Sequence, residues 1–141
     1  MSMKIIYATL VGSVLAFLLG WLVFGILMDP YYQANMVHYS GLMKDEDTMR
    51  LYGIFLANLT TAGLFAYVFE KWAGIRSLSK GFVGGVILGG AMFLSFDLMM
   101  WSTMNVFPSK VFAVDVIVNA LFGGIIGAAI GWVLGYGRSA A

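Results

Sequence analysis

Hydrophobic residues fill four long stretches of the chain, and polar residues gather in the segments between them. The apolar stretches cover residues 5–28, 51–69, 81–101 and 111–136. A hydrocarbon core about 30 Å thick needs roughly 20 apolar helical residues to cross it, so each stretch predicts one membrane-spanning helix. Because little chain remains outside them, residues 1–141 are predicted to form one compact all-α domain, a polytopic membrane protein with four transmembrane helices in one bundle.

The composition of the chain agrees with this pattern. Hydrophobic residues make up 61% of the sequence and charged residues 11%, and the mean hydropathy is +0.90, far from the values of a soluble domain. The formal net charge is only +1, and no basic patch is present, which indicates no nucleic acid partner. Without cysteine, the chain has neither a disulfide framework nor a thiolate metal site. The partner that the composition predicts is the lipid bilayer.

The basic residues favour one orientation in the membrane. Cytoplasmic loops of membrane proteins are enriched in lysine and arginine. One side of the predicted bundle carries five basic residues, namely Lys4, Lys71, Arg76, Lys80 and Arg138, and the other side carries Lys44, Arg50 and Lys110. This difference predicts a multi-pass protein of the cytoplasmic (inner) membrane with both termini in the cytoplasm.

The longest polar segment, residues 29–50, lies on the predicted outer side. Tyr32, Met36, Tyr39 and Met43 recur at intervals of four, three and four, which predicts a short amphipathic helix in the membrane interface. Tyr32 is also expected to belong to the outer belt of aromatic residues. The sequence "DEDT", residues 45–48, is expected to cap the N-terminus of the second membrane helix.

Glycine recurs at every fourth position in the third and fourth apolar stretches. Small residues at this spacing let membrane helices approach closely, as in a glycine zipper. The third stretch contains Gly81, Gly85 and Gly89, and the fourth contains Gly123, Gly127, Gly131 and Gly135. These stripes predict tight packing of the third helix on the fourth. A homo-oligomer interface, or a surface for a partner subunit or a lipid, remains the alternative.

Two carboxylates lie well inside the predicted spans, where charged groups are costly and often functional. Asp97 precedes Phe107, at the turn between the third and fourth helices, by ten residues, and Asp115 follows it by eight. At about 1.5 Å per residue, both lie at nearly one depth. Asn119 lies one turn deeper on the face of Asp115, and Asn58 of the second helix lies at a comparable depth. We therefore predict a polar layer of these four residues in the outer half of the bundle.

The polar layer has two interpretations. In the first, the carboxyl groups are hydrogen-bonded to Asn119, Asn58 or Trp101 and only fix the helix register, or they lie high enough in the membrane to reach interfacial water. In the second, they form a proton- or cation-binding site, or a pocket for a small polar ligand under residues 29–50. No motif indicates an enzyme, a cofactor or a metal centre, since His38 is the sole histidine and no serine lies in a nucleophile motif.

A faint internal repeat also involves this layer. The first and third helices share "VGSVLAFLLGWLVF" and "VGGVILGGAMFLSF", and the second and fourth share "NLTTAG" and "NALFGG". This alignment places Asn58 opposite Asn119. In parallel two-helix repeats, binding sites lie at the interface between the repeats.

Two segments carry a resemblance to a known group of proteins. The segment "FDLMMWSTMNVFPSKVFAVDVIVNALFGGIIGAAIGW" resembles the second half of small bacterial four-helix integral membrane proteins classified only as domains of unknown function. The segment "GWLVFGILMDPYYQANM" resembles their aromatic exit from the first helix. The resemblance implies the four-helix topology and Asp97 and Asp115 as the matching positions. It implies no activity.

Two classes of function follow from the sequence. The first is a non-enzymatic binding or accessory membrane protein, stable as a homo-oligomer or as a subunit of a larger membrane complex. The alternative is a transporter or channel that moves protons, a cation or a small solute past Asp97 and Asp115.

Overall fold

A computed structural model describes residues 2–137, so that Arg138, counted above for the orientation, lies outside the described residues. The elements in chain order are α1 (Met3–Gly20), continued by a π-helical segment (Trp21–Leu27), α2 (Asp29–Asn35), a single 3₁₀ turn (Glu46–Thr48), α3 (Leu51–Val68), continued by a second π-helical segment (Phe69–Ala73), α4 (Leu78–Thr103) and α5 (Ser109–Gly135). Residues 2–137 contain no β-strand.

Four helices are long and apolar enough to cross a membrane, namely Met3–Leu27, Leu51–Ala73, Leu78–Thr103 and Ser109–Gly135. The all-helical architecture predicted from the apolar stretches is confirmed at this level, and four such helices indicate a membrane protein. The helices extend beyond some predicted limits. α4 begins at Leu78 rather than at residue 81, because the Ser77 side chain caps it and accepts a hydrogen bond from the Lys80 backbone N–H at 3.4 Å.

α4 and α5 form an antiparallel pair in which the two backbones touch. A Cβ atom added to Gly127 would lie 2.7 Å from the Cα of Gly85, and one added to Gly131 would lie 2.9 Å from the Cα of Gly81. Cβ contacts below 3.0 Å essentially do not occur, so even alanine cannot replace these glycines without moving a helix. The glycine faces of α4 and α5 are therefore occupied by each other within one chain.

α1 and α3 form a second antiparallel pair that packs on α5. The buried core lies among these three helices, with Ile5, Ala8 and Ala16 from α1, Ala62, Phe65, Ala66 and Phe69 from α3 and its extension, and Ile126, Ile130 and Leu134 from α5. Phe65 reaches across to α4, where it limits the space beside Gly89. We name the end of the bundle where α2 and the α4–α5 connection lie the α2 end. Most of the core lies toward the opposite end, where α1 begins and α5 ends.

The segment over residues 29–50 differs from the prediction. Within residues 29–50 only Asp29–Asn35 is α-helical, and the backbone at Met36 is extended, so Tyr39 and Met43 do not continue the face that Tyr32 begins. Pro30 in the first turn favours the start of α2, whereas residues 36–50 bury no side chain that would support further helix. Residues 45–48 also do not cap α3, since they contribute to the separate 3₁₀ turn and Arg50 is the residue before the helix.

Candidate functional site

Asp97 of α4 and Asp115 of α5 lie side by side at the α2 end of the bundle. Their carboxyl groups are within hydrogen-bonding reach of each other, and they are 3% and 8% exposed. Oδ2 of Asp97 is buried and has no hydrogen-bond partner among residues 2–137. A buried polar atom without a partner is rare in proteins, so this oxygen marks the pair as unusual.

Two other side chains surround Asp115 with hydrogen-bond donors. Nδ2 of Asn119 donates to Oδ2 of Asp115 at 2.8 Å and to the Asp115 carbonyl oxygen at 3.0 Å. The hydroxyl of Tyr32 donates to Oδ1 of Asp115. Both carboxyl oxygens of Asp115 therefore accept hydrogen bonds, which is the environment of an ionised carboxylate.

Tyr32 remains a neutral donor in this position. Partial burial raises the pKa of its phenol above the ordinary value of 10.0, and the hydrogen bond to Asp115 and the negative charge of that carboxylate raise it further. Because the neutral phenol has the proton that Asp115 accepts, its ionisation is opposed by the same contact.

α2 carries Tyr32 and is tied to the start of α5 by a second set of contacts. Nζ of Lys110 donates to Oδ1 of Asn35 at 2.7 Å and lies 5.9 Å from the centre of the Tyr31 ring. Nδ2 of Asn35 donates in turn to the Tyr31 carbonyl oxygen at 2.8 Å. We call these contacts of Lys110 with Asn35 and Tyr31 the Lys110 latch. The latch holds α2 across the end of the α4–α5 pair, so that Tyr32 reaches the carboxyl groups.

The structure brings together three of the four residues of the predicted polar layer. Asp97, Asp115 and Asn119 meet, whereas Nδ2 of Asn58 donates to the Ile54 carbonyl oxygen of its own helix at 3.0 Å. The contact of the carboxyl pair with Trp101 considered from the sequence is also not present, since Nε1 of Trp101 donates to Oγ of Ser109 at 3.2 Å.

Tyr32 is the member of the site that the sequence prediction assigned elsewhere. The sequence predicts Tyr32 in the outer aromatic belt, but its hydroxyl donates to Asp115 inside the bundle. The signal in the sequence is "DPYY", residues 29–32, because a proline two residues after the first predicted span favours a new helix start. This signal does not give the direction of the new helix. Nothing in the residue pattern distinguished Tyr32 from Tyr31.

The surroundings of the pair indicate which ligands fit. No group of three or more histidine, cysteine, aspartate or glutamate side chains in the described part of the chain is placed to hold a metal ion. A nearby groove of about 210 Å³ between α1 and α5 is lined only by apolar residues, and neither carboxyl group belongs to it. The pair itself offers one carboxyl oxygen without a partner, on Asp97, next to the carboxylate of Asp115. A proton shared between two such oxygens fits this arrangement.

Comparisons with known proteins gave no assignment. No protein-family model, curated protein or solved structure matches the chain.

Proposed function

We propose that the chain is a non-enzymatic membrane protein that binds a proton between Asp97 and Asp115. The observation that carries this proposal is the buried Oδ2 of Asp97, which has no hydrogen-bond partner beside a second carboxyl group. Two ionised carboxylates in contact in an apolar interior repel each other. One proton between them removes a charge and supplies a donor.

The donors around the pair indicate where the proton lies. Tyr32 and Asn119 both donate to Asp115 and neither donates to Asp97. Asp115 is therefore the ionised member, and Asp97 is the carboxylic acid whose O–H points to it. This arrangement satisfies both carboxyl groups with a single proton.

The alternative function, movement of a proton, a cation or a small solute across the membrane, needs a second route out of the site. In the described residues the backbones of α4 and α5 touch at the glycines beyond Asn119, and the core of the bundle fills the opposite end. These contacts favour a site that exchanges its proton with one side of the membrane only, rather than a continuous pathway across it. The proposal also includes the location and the partners of the protein. It lies in the cytoplasmic membrane with both termini in the cytoplasm, belongs to the small bacterial four-helix group, and assembles into an oligomer or a larger complex.

Infrared spectroscopy of the protein in lipid nanodiscs tests the proposal. At neutral pH the wild-type protein should show the carbonyl band of a protonated carboxyl group, and Asp97→Asn should remove it. The matched control is Asp47→Asn, which changes an exposed carboxylate and should leave the band in place. Absence of a protonated carboxyl band in the wild-type protein would refute proton binding at the pair.

A flux measurement separates binding from transport. The protein reconstituted in liposomes should give no proton, Na⁺ or K⁺ flux above that of empty vesicles. A flux that Asp97→Asn and Asp115→Asn both abolish would establish transport instead.

A further inference from the structure

The carboxyl pair is closed toward the opposite end of the bundle. Gly123 lies one turn beyond Asn119, and a Cβ atom added there would be 2.8 Å from the Gly85 carbonyl oxygen. Ile126 and Ile130 follow on α5, with 3% and 0% of their surface exposed. Backbone in contact with backbone and fully packed aliphatic side chains leave no room for water.

Toward the α2 end, α2 lies against the pair through Tyr32. Tyr32 is half-buried, and its hydroxyl donates to Asp115. No residue of α2 is fully buried, so lifting this helix exposes little apolar surface. Its undocking therefore costs far less free energy than separation of α4 from α5.

The Lys110 latch lies at the surface and does not touch the carboxyl pair. Its hydrogen bond to Asn35 is exposed, and the groups that act on the pair are Tyr32, Asn119 and the two carboxyl groups themselves. α3 brings no such group, because the amide of Asn58 serves its own helix. Loss of the latch should thus change how often α2 undocks without changing the charges around the proton.

We infer that α2 covers the single route by which the proton of the site exchanges with water. Tyr32 is the positioning residue that closes this route, and the Lys110 latch sets how often α2 undocks. This inference rests on the proposed proton binding. Exchange takes place when α2 undocks: the proton of Asp97 passes to water that enters beside Tyr32, and a proton from the medium takes its place. The bundle stays folded throughout.

Hydrogen–deuterium exchange of the carboxyl band measures this directly. The wild-type protein and three variants in nanodiscs are transferred to D₂O, and the shift of the protonated carboxyl band is followed in time. Lys110→Met removes the contacts that Nζ makes in the latch, while the Tyr31 hydroxyl can still donate to the backbone carbonyl oxygen of residue 110. It should speed exchange about threefold, as expected for loss of an exposed hydrogen bond. Tyr32→Phe removes a hydrogen bond to a carboxylate and should speed exchange about tenfold or more. Lys110→Met lies outside the site and should leave the band in place. Tyr32→Phe takes a donor from Asp115, so its band should shift in frequency while a protonated carboxyl group remains to exchange.

The matched control is Lys4→Met at the opposite end. Nζ of Lys4 donates to the Tyr136 carbonyl oxygen at 2.8 Å, so this variant also removes a lysine tie between two elements, far from α2. Its exchange rate should equal that of the wild type. Equal acceleration by Lys4→Met and Lys110→Met would overturn the inference, because exchange would then follow general loosening of the bundle.

The remaining outcomes separate this inference from the proposed function. If the band is present but its exchange rate is unchanged in Lys110→Met and Tyr32→Phe, proton binding stands and the inference that α2 controls exchange is overturned. Slower exchange in Tyr32→Phe also overturns it, since the phenol would then conduct the proton rather than exclude water. Absence of the band in the wild-type protein removes the proposed function itself.

Discussion

Gly85→Ala tests whether contact between the backbones of α4 and α5 determines the stability of the bundle. The new Cβ would lie 2.9 Å from the Cα of Gly127 and closer still to the Gly123 carbonyl oxygen. Ordinary contact begins at 3.4 Å, so α5 must withdraw by about 0.5 Å to clear Gly127 alone, the least movement that normal van der Waals contact allows. Backbone atoms cannot turn aside as a side chain can, so the two helices must separate.

The magnitude follows from the contacts that the separation weakens. A gap of about 0.5 Å forfeits roughly a quarter of the attraction of each atom pair, and extra atoms forced into a packed interior cost about 1–3 kcal/mol. Alanine also raises helix propensity by about 1 kcal/mol relative to glycine. Gly90→Ala on the same helix gains this propensity without the clash, since its Cβ would lie 3.4 Å from the Cβ of Ala120. The difference between the two variants therefore isolates the packing effect.

Reversible unfolding in mixed detergent micelles, followed by circular dichroism, gives this difference. Gly85→Ala should be about 1–3 kcal/mol less stable than Gly90→Ala, which is about a 5- to 150-fold change in the unfolding equilibrium. If Gly85→Ala is as stable as Gly90→Ala, the close approach of α4 and α5 does not limit stability and the reasoning is refuted.

Three further predictions concern the site and the topology. Asn119→Ala should lower the free energy of unfolding by about 1–3 kcal/mol, measured in the same assay, because Oδ2 of Asp115 loses its donor; an unchanged value would contradict the assigned hydrogen bond. Asn58→Leu should leave the infrared carboxyl band unchanged, since its amide bonds its own helix; loss of the band would return Asn58 to the site. The chain has no cysteine, so single cysteines at Lys44 and Lys71 should react with a membrane-impermeant maleimide from opposite sides of intact cells or inverted vesicles; labelling of both from one side would contradict the topology.

The long helices could be predicted from the sequence because their pattern depends on the chain alone. An apolar run of about 20 residues forms a helix in lipid, since every backbone hydrogen bond must be made within the segment. The ends were less predictable. α3 runs on through the π-helical segment to Ala73, and Gly74 ends it in the left-handed conformation with φ 61°. Such an ending depends on the local backbone geometry and not on hydropathy.

The candidate site shows where residue counting succeeds and where it does not. Asp97 and Asp115 lie on adjacent helices joined by one short connection, so their distances from that connection placed them at one level. Asn58 and Asn119 make the same local hydrogen bond to the carbonyl oxygen four residues earlier, each at 3.0 Å. Only on α5 is that earlier residue an aspartate, which makes Asn119 part of the site.

Tyr32 could not be assigned to the site because its position depends on how α2 folds back. A tyrosine at a membrane boundary has the same composition signal whether it faces lipid or the bundle. Its inward direction follows from the early end of α2 at Asn35 and from the Lys110 latch, contacts between segments 75 residues apart in the chain. A residue pattern within one segment carries no information about such contacts.

The glycines and the carboxyl pair are linked by the register of α4 on α5. Gly89 and Gly123 face each other, with a Cβ on Gly89 placed 3.1 Å from the Cα of Gly123. In an antiparallel pair, equal steps away from a contact reach the same height. Eight residues onward from Gly89 is Asp97, and eight residues back from Gly123 is Asp115, each about 12 Å away at 1.5 Å per residue. The glycine contact thus sets both the level and the separation of the two carboxyl groups. A side chain that forces the glycines apart should therefore weaken the proposed binding of a proton by the carboxyl pair and also destabilise the bundle.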